Sequence, residues 1–113
     1  MKPGKVTQMA IDQLFPLRLE ERVLMIDVRR PFFYRLGHVD GAVNLSLPDF
    51  AEVYPGVKPQ LDAAVAAGKV IVTYCQNVNC PDAHTTAKAL AARGYDVSIY
   101  RGGWDEWRTA GVE

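Results

Sequence analysis

The apolar positions of the chain fall into short runs divided by turn residues. Val23-Leu24-Met25-Ile26-Asp27-Val28 is nearly continuous, and so is Val70-Ile71-Val72-Thr73-Tyr74. Runs of this length without alternation suit strands buried on both faces of a parallel sheet. Tyr95 to Tyr100 alternates like a strand, and shorter strands are predicted at 5–7 and 42–45. Between these runs the spacing turns helical. Thr7 is the expected N-cap of a helix from Gln8 to Phe15, which Pro16 stops. Pro31 opens a short helix through Arg35, and Gly37-His38-Val39-Asp40-Gly41 is a turn cluster. Two more short helices are expected, Pro48 to Tyr54 closed by Pro55-Gly56, and Leu61 to Ala67 stopped by Gly68. A helix over 82–93 ends at Gly94, and Gly102-Gly103 turns the chain into a last helix, Trp104 to Thr109.

Strands therefore alternate with helices along the whole chain. That order implies an α/β fold, with a central, mostly parallel sheet of about five strands and helices on both faces. The 113 residues suffice for one domain, 1–113, and an apolar content of 49% supplies an ordinary core. In such folds the C-terminal ends of the strands gather around one crevice. Residues expected there are Asp27 to Arg30, Tyr74 with Cys75, and Tyr100 with Arg101.

Charge narrows the function classes. Lys plus Arg and Asp plus Glu both number 13, so no net field draws in nucleic acid or an anionic membrane. Neither nucleic acid nor a membrane is expected as a partner. The N-terminal stretch lacks the apolar run of a signal peptide, and no segment approaches the ~20 apolar residues of a membrane span. A cytoplasmic protein is expected.

Cys75 is the candidate residue for chemistry. It stands between the end of the strand 69–74 and the helix that begins near Asp82, behind the loop Gln76-Asn77-Val78-Asn79-Cys80. Unpaired N–H groups at a helix start favour an anion, and they stabilise a thiolate over a thiol. The competing reading is a buried structural cysteine. Cys80 leaves three readings open: a resolving thiol, a second activated thiol near the helix start, or a packing residue. The spacing is neither C-x-x-C nor that of a zinc knuckle. A zinc site of Cys75, Cys80, His38 and His84 is arithmetically available but disfavoured, so no metal is expected. His38 reads as a turn-stabilising imidazole and His84 as part of a solvated helix face. Asp27 and Arg29 read as a structural pair, with Arg29 or Arg101 as electrostatic support for the site. Trp104 and Trp107 read as core anchors of the last helix. Asp82 complements the helix dipole and partly cancels the positive field at Cys75.

Three blocks in order resemble a single-domain rhodanese-like sulfurtransferase. The first is Leu24-Met25-Ile26-Asp27-Val28-Arg29 with Tyr34, Gly37-His38-Val39 and Gly41-Ala42-Val43-Asn44. The second is Ile71-Val72-Thr73-Tyr74-Cys75. The third is Ala89-Leu90, Arg93-Gly94-Tyr95-Asp96-Val97, Gly102-Gly103-Trp104 and Trp107. The resemblance implies a rhodanese fold in which Cys75 is the catalytic nucleophile and carries sulfane sulfur as a persulfide. The donor would be a compound such as thiosulfate, and the acceptor a thiol, a protein thiol included, or a cyanide-type nucleophile. No cofactor is implied. Residues 76–80 would form the substrate-binding loop. The sequence departs from the family at position 80, where Cys replaces the usual Arg in a longer C-x4-C loop. That departure keeps two alternatives in view: a non-catalytic protein-binding or regulatory module, and a Cys75/Cys80 dithiol redox module.

Overall fold

In a computed structural model, which describes residues 2–111, five parallel strands form one sheet in the order β1-β5-β4-β2-β3. The strands are β1 (Val6–Met9), β2 (Val23–Asp27), β3 (Val43–Asn44), β4 (Val70–Tyr74) and β5 (Val97–Tyr100). The helices are α1 (Ile11–Leu19), α2 (Pro31–Leu36), α3 (Phe50–Ala66), α4 (Asp82–Ala92) and α5 (Gly103–Ala110), with a 3-10 turn at Leu47–Asp49 before α3. The expected α/β architecture with helices on both faces is what forms. On one face Val57, Leu61 and Ala64 of α3 and Ala83, Ala87 and Leu90 of α4 pack on Ile26, Ile71 and Ile99. On the other, Leu14 of α1 and Trp107 of α5 pack on Met25, Val72 and Tyr100. No helix among the described residues is long and apolar enough to cross a membrane.

Three prolines and a threonine redraw the expected elements. Thr7 is not a helix cap: it lies in β1, which runs to Met9, and its hydroxyl donates to Ser98 Oγ at 3.0 Å on the paired strand. The helix starts later, capped by Ala10, whose N–H donates to the Gln13 side chain at 2.9 Å. Pro16 falls inside α1 rather than ending it. The last turn is held from outside, because Arg18 donates to the Asp40 carbonyl at 2.8 Å and lies 5.7 Å from the Trp107 ring centroid. The two helices expected around Pro55-Gly56 are one, α3, with Pro55 and Pro59 in its interior. Both prolines are exposed, while Val57, Leu61 and Ala64 are buried opposite. The carbonyls that lose their N–H partners therefore face water, which lowers the usual proline penalty.

The sheet order fixes where a site can form. The crossover after β2 leaves toward β3, and the crossover after β4 leaves toward β5. The chain thus departs in opposite directions from two adjacent strands, the switch point at which open α/β sheets hold their ligands. Asp27 and Tyr74, the last residues of β2 and β4, pair directly across this line.

Candidate active site

Cys75 follows the central strand directly and is 5% exposed. Its backbone is pinned by the start of α5. The Trp104 N–H donates to the Cys75 carbonyl, and the Asp105 N–H to the Gln76 carbonyl, each at 2.9 Å. This approach requires Gly103, whose φ is +68°. A Cβ there would come within 2.6 Å of the Cys75 carbonyl oxygen, too close for any other residue without displacing the loop. Asp105 also accepts hydrogen bonds from the side chains of Gln76 (2.7 Å) and Asn77 (3.2 Å).

The loop then folds on Asn77. The Asn77 side-chain oxygen accepts the Asn79 N–H at 3.0 Å, and its carbonyl accepts the Cys80 N–H at 3.1 Å. Asparagine makes such local turns readily. Two of the loop's N–H groups, those of Asn79 and Cys80, are therefore engaged within the loop itself. The turn returns Cys80 to Cys75, with the Cα atoms 6.2 Å apart and the two sulfurs joined in a disulfide. Thr73 ties the strand to the following helix by donating to the Ala83 carbonyl at 2.9 Å.

Beside the loop lies a saturated polar cluster at the end of β2. Arg29 forks onto Asp27, with Nε to Oδ1 at 3.0 Å and Nη2 to Oδ2 at 2.7 Å. Nη2 also donates to the Gly37 carbonyl at 2.7 Å, and Nη1 to Gln76 Oε1 at 2.9 Å. Tyr74 donates its hydroxyl to Asp27 Oδ2 at 2.7 Å and accepts the Val39 N–H at 3.0 Å. Burial opposes the Arg29 charge, but the hydrogen bonds and charge of Asp27 outweigh it and hold its pKa above the ordinary value. Burial, then the Asp27 charge, drives the Tyr74 phenol far above its usual range, so it remains a protonated donor. Arg29 is thus built into the scaffold beside the cysteine.

Cys75 and Cys80 border two cavities. One, of about 300 Å³, is also lined by Asn77, His84 and Arg101. The other, of about 260 Å³, is also lined by Arg29, Arg30, Phe33, Gln76 and Asp82. The strand-end reasoning placed Arg29, Arg30 and Arg101 near the cysteine, and all three do line cavities that contain it, Arg101 on the opposite side from the other two. His84 reaches the first cavity from an exposed position on α4. His38 lies away from both cavities, stacked on Tyr34 with ring centroids 3.8 Å apart and its Nδ1 2.7 Å from the Tyr34 carbonyl. Asp105 and Phe33 were not anticipated. The Pro31-Phe32-Phe33 stretch, two aromatics on a short helix, was a visible signal for Phe33, but nothing in sequence pointed Asp105 at the loop.

The ligand atoms of Cys75, Cys80 and Asp82 lie within 4.8 Å of one another. With the sulfurs bonded to each other, this set has no thiolate to give a metal, and neither His38 nor His84 belongs to it.

A model of the rhodanese-like domain family matches residues 14–110. The chain is 28% identical over 100 residues to the HTH-type transcriptional regulator Rv0324 of Mycobacterium tuberculosis, covering 88% of this chain and 41% of that protein. It spans less than half the length of the curated relatives it matches. Among solved structures, the BH2092 protein of Bacillus halodurans superposes with a TM-score of 0.77 at 25% identity, covering 93% of this chain and 73% of the other. A rhodanese-related protein of Thermoplasma volcanium superposes with a TM-score of 0.73 at 18% identity, covering 93% of both chains.

Proposed function

We propose that this chain, which belongs to the rhodanese-like family, is a sulfurtransferase that carries sulfane sulfur on Cys75. The observation behind the reading is the position of Cys75. It directly follows the central strand at the switch point and borders a cavity that Arg101 and His84 also line. The reduced thiolate attacks the outer sulfur of a donor such as thiosulfate. The donor's S–S bond breaks, sulfite leaves with the electron pair, and Cys75 holds a persulfide. A thiol or cyanide-type acceptor then takes the outer sulfur and restores the thiolate. The cation on Arg101 suits an anionic donor, and no cofactor enters the scheme.

The disulfide must be opened before any of this occurs, since only a thiolate is a nucleophile. The reduced protein, cleared of reductant, treated with thiosulfate and alkylated at early times, is expected to carry an added sulfur on Cys75, seen by peptide mass spectrometry. Cys75→Ser is expected to gain none and to lose thiocyanate formation from cyanide. Undiminished turnover in that variant would remove Cys75 from the mechanism.

A second reading, a dithiol redox module, draws on the Cys75–Cys80 disulfide. It predicts reversible loss and gain of two hydrogens with dithiols and no sulfur on Cys75 after thiosulfate.

A further inference from the structure

We propose that Cys80 discharges the Cys75 persulfide as hydrosulfide. The Cys80 sulfur attacks Cys75 Sγ, the bond from Sγ to the carried sulfur breaks, and the Cys75–Cys80 disulfide closes. This rests on the sulfur-carrier reading above and names the route by which the sulfur leaves without an acceptor. The electrons balance. The carried sulfur gains the pair from the broken bond and departs as hydrosulfide, taking the Cys80 proton. The two cysteines are oxidised together to cystine. An external dithiol must follow, oxidised in turn to its own disulfide, to return the site to its starting state. The reaction therefore belongs before a dithiol reductant in any sequence that uses it.

Three features of the loop carry the inference. The first is reach. With β4 and α4 both in place, the loop already holds the two cysteines at a Cα separation of 6.2 Å with their sulfurs joined. That separation is within the range that disulfides use. The second is rigidity. Cys75 and Gln76 are pinned to α5 through Trp104 and Asp105, and the Asn77 turn directs Cys80 back over Cys75. The attacking thiol is held in place rather than drawn from solution, the condition under which an intramolecular step outruns an intermolecular one.

The third is charge. The family's usual loop arginine would hold an anion, but position 80 is Cys, and the Arg29 guanidinium is engaged by Asp27, Gly37 and Gln76. The Asp82 carboxylate lies within 4.8 Å of the sulfurs. A persulfide anion here has the Asp82 carboxylate near it and no cation from the loop itself, Arg30 and Arg101 lining its cavities from outside the loop. Closing the disulfide sends that negative charge into solvent. Because both cysteines border both cavities, the resulting disulfide can be approached by a reducing thiol.

The test is a single turnover without acceptor. Reduced protein, freed of reductant, receives one equivalent of thiosulfate, and hydrosulfide and peptide masses are followed. Wild type is expected to release close to one equivalent of hydrosulfide while the linked 75–80 peptide appears. Cys80→Ser is expected to release it at least about tenfold more slowly, because attack must then come from solution, and to accumulate the Cys75 persulfide. Cyanide added to that variant should convert the stored sulfur to thiocyanate, which shows its site is intact. A wild-type persulfide as lasting as that of Cys80→Ser, with no hydrosulfide, would overturn the proposal and leave the carrier reading standing. Sulfur on Cys75 in neither protein would overturn the carrier reading, and the discharge with it.

Discussion

The ends of β2 and β4 are neighbours in the sheet, yet they are built on opposite plans. At the end of β2, Asp27 and Arg29 are buried, and each is satisfied by more than one partner. At the end of β4, the loop 76–80 is mostly half-buried or exposed, and part of its hydrogen bonding is internal to one asparagine turn. One region has a single arrangement at low cost. The other contains two sulfurs joined across a short loop, between a strand end and a helix start that are each held by their own contacts. The difference shows how a small fold keeps the cysteine loop in register: the fixed cluster holds Gln76, the residue next to Cys75, through Arg29. Gln76 in turn reaches Asp105, so the cysteine loop is clamped from both sides.

The sharpest way to break this contrast is to damage the fixed side. Arg29→Ala leaves the fully buried Asp27 carboxylate without its bidentate partner. Removing one member of a buried pair typically costs about 3–5 kcal/mol, because the remaining charge is uncompensated. Urea denaturation is expected to show a loss of that size, and oxidised and reduced protein should both show it. A loss under about 1 kcal/mol would mean that the cluster relaxes to admit water and is not fixed.

Gly103→Ala strikes the contact between the two regions. The left-handed backbone disfavours alanine, and the new Cβ meets the Cys75 and Gln76 backbone rather than a flexible side chain. A stability loss of about 1–3 kcal/mol is expected, with sulfur loading of Cys75 reduced further than the melting temperature suggests. Loading that survives unchanged would show that the α5 anchor does not set the position of Cys75.

Much of this contrast was legible in the sequence. The two unbroken apolar runs gave β2 and β4, and reasoning from strand ends brought Arg29 and Arg101 to the rim around Cys75. Helix boundaries were misread where proline stood in the interior. The penalty of Pro16, Pro55 and Pro59 depends on whether the orphaned carbonyls face water and on what holds the next turn, and a single sequence displays neither. The partners of Gln76 were also invisible. Asp105 lies 29 positions away in sequence, and its role follows from the tight turn at Gly103 that sets α5 against the loop. The Asp27–Arg29 pair was expected as scaffolding because its members are two residues apart, close enough to meet in one turn. Its coupling to Tyr74 needed the β2–β4 register.

Tyr74 offers a gentler test of the fixed side, through pH. Its folded pKa lies far above its unfolded value near 10, raised first by burial and then by Asp27. The folded state therefore favours the neutral phenol. Its contribution is fully present below about pH 10 and is lost as pH rises beyond that toward the folded value. Tyr95, raised by burial and by Asp62, and Tyr100, raised by burial and by Glu106, have the same sign. Denaturation midpoints are expected to hold through neutral pH and fall above about pH 10. Tyr74→Phe should flatten part of that fall. At neutral pH it should cost about 1–3 kcal/mol, since the Val39 N–H loses its acceptor and Asp27 a donor. An alkaline limb identical to wild type would assign the loss to the other two phenols.

The smallest effect on stability should come from the cysteine side, at Arg101. Its side chain is exposed at the end of β5 and lines the cavity that holds Cys75 and His84. Arg101→Ala is expected to change stability by no more than about 0.5 kcal/mol, as exposed substitutions usually do. Its effect should appear instead in which donor is used. A cation at the cavity rim raises the local concentration of an anion such as thiosulfate and does little for a neutral persulfide donor. Salt screens that attraction over about 8–10 Å near physiological ionic strength. Wild-type loading from thiosulfate should therefore slow with added salt, while the variant begins slower and responds less. Loading from a neutral donor should be alike in the two proteins. Equal losses with both donors would place Arg101 in loop geometry instead of donor attraction. Salt dependence that persists in the variant would assign the field to Arg29 and Arg30 on the far side of the cysteines.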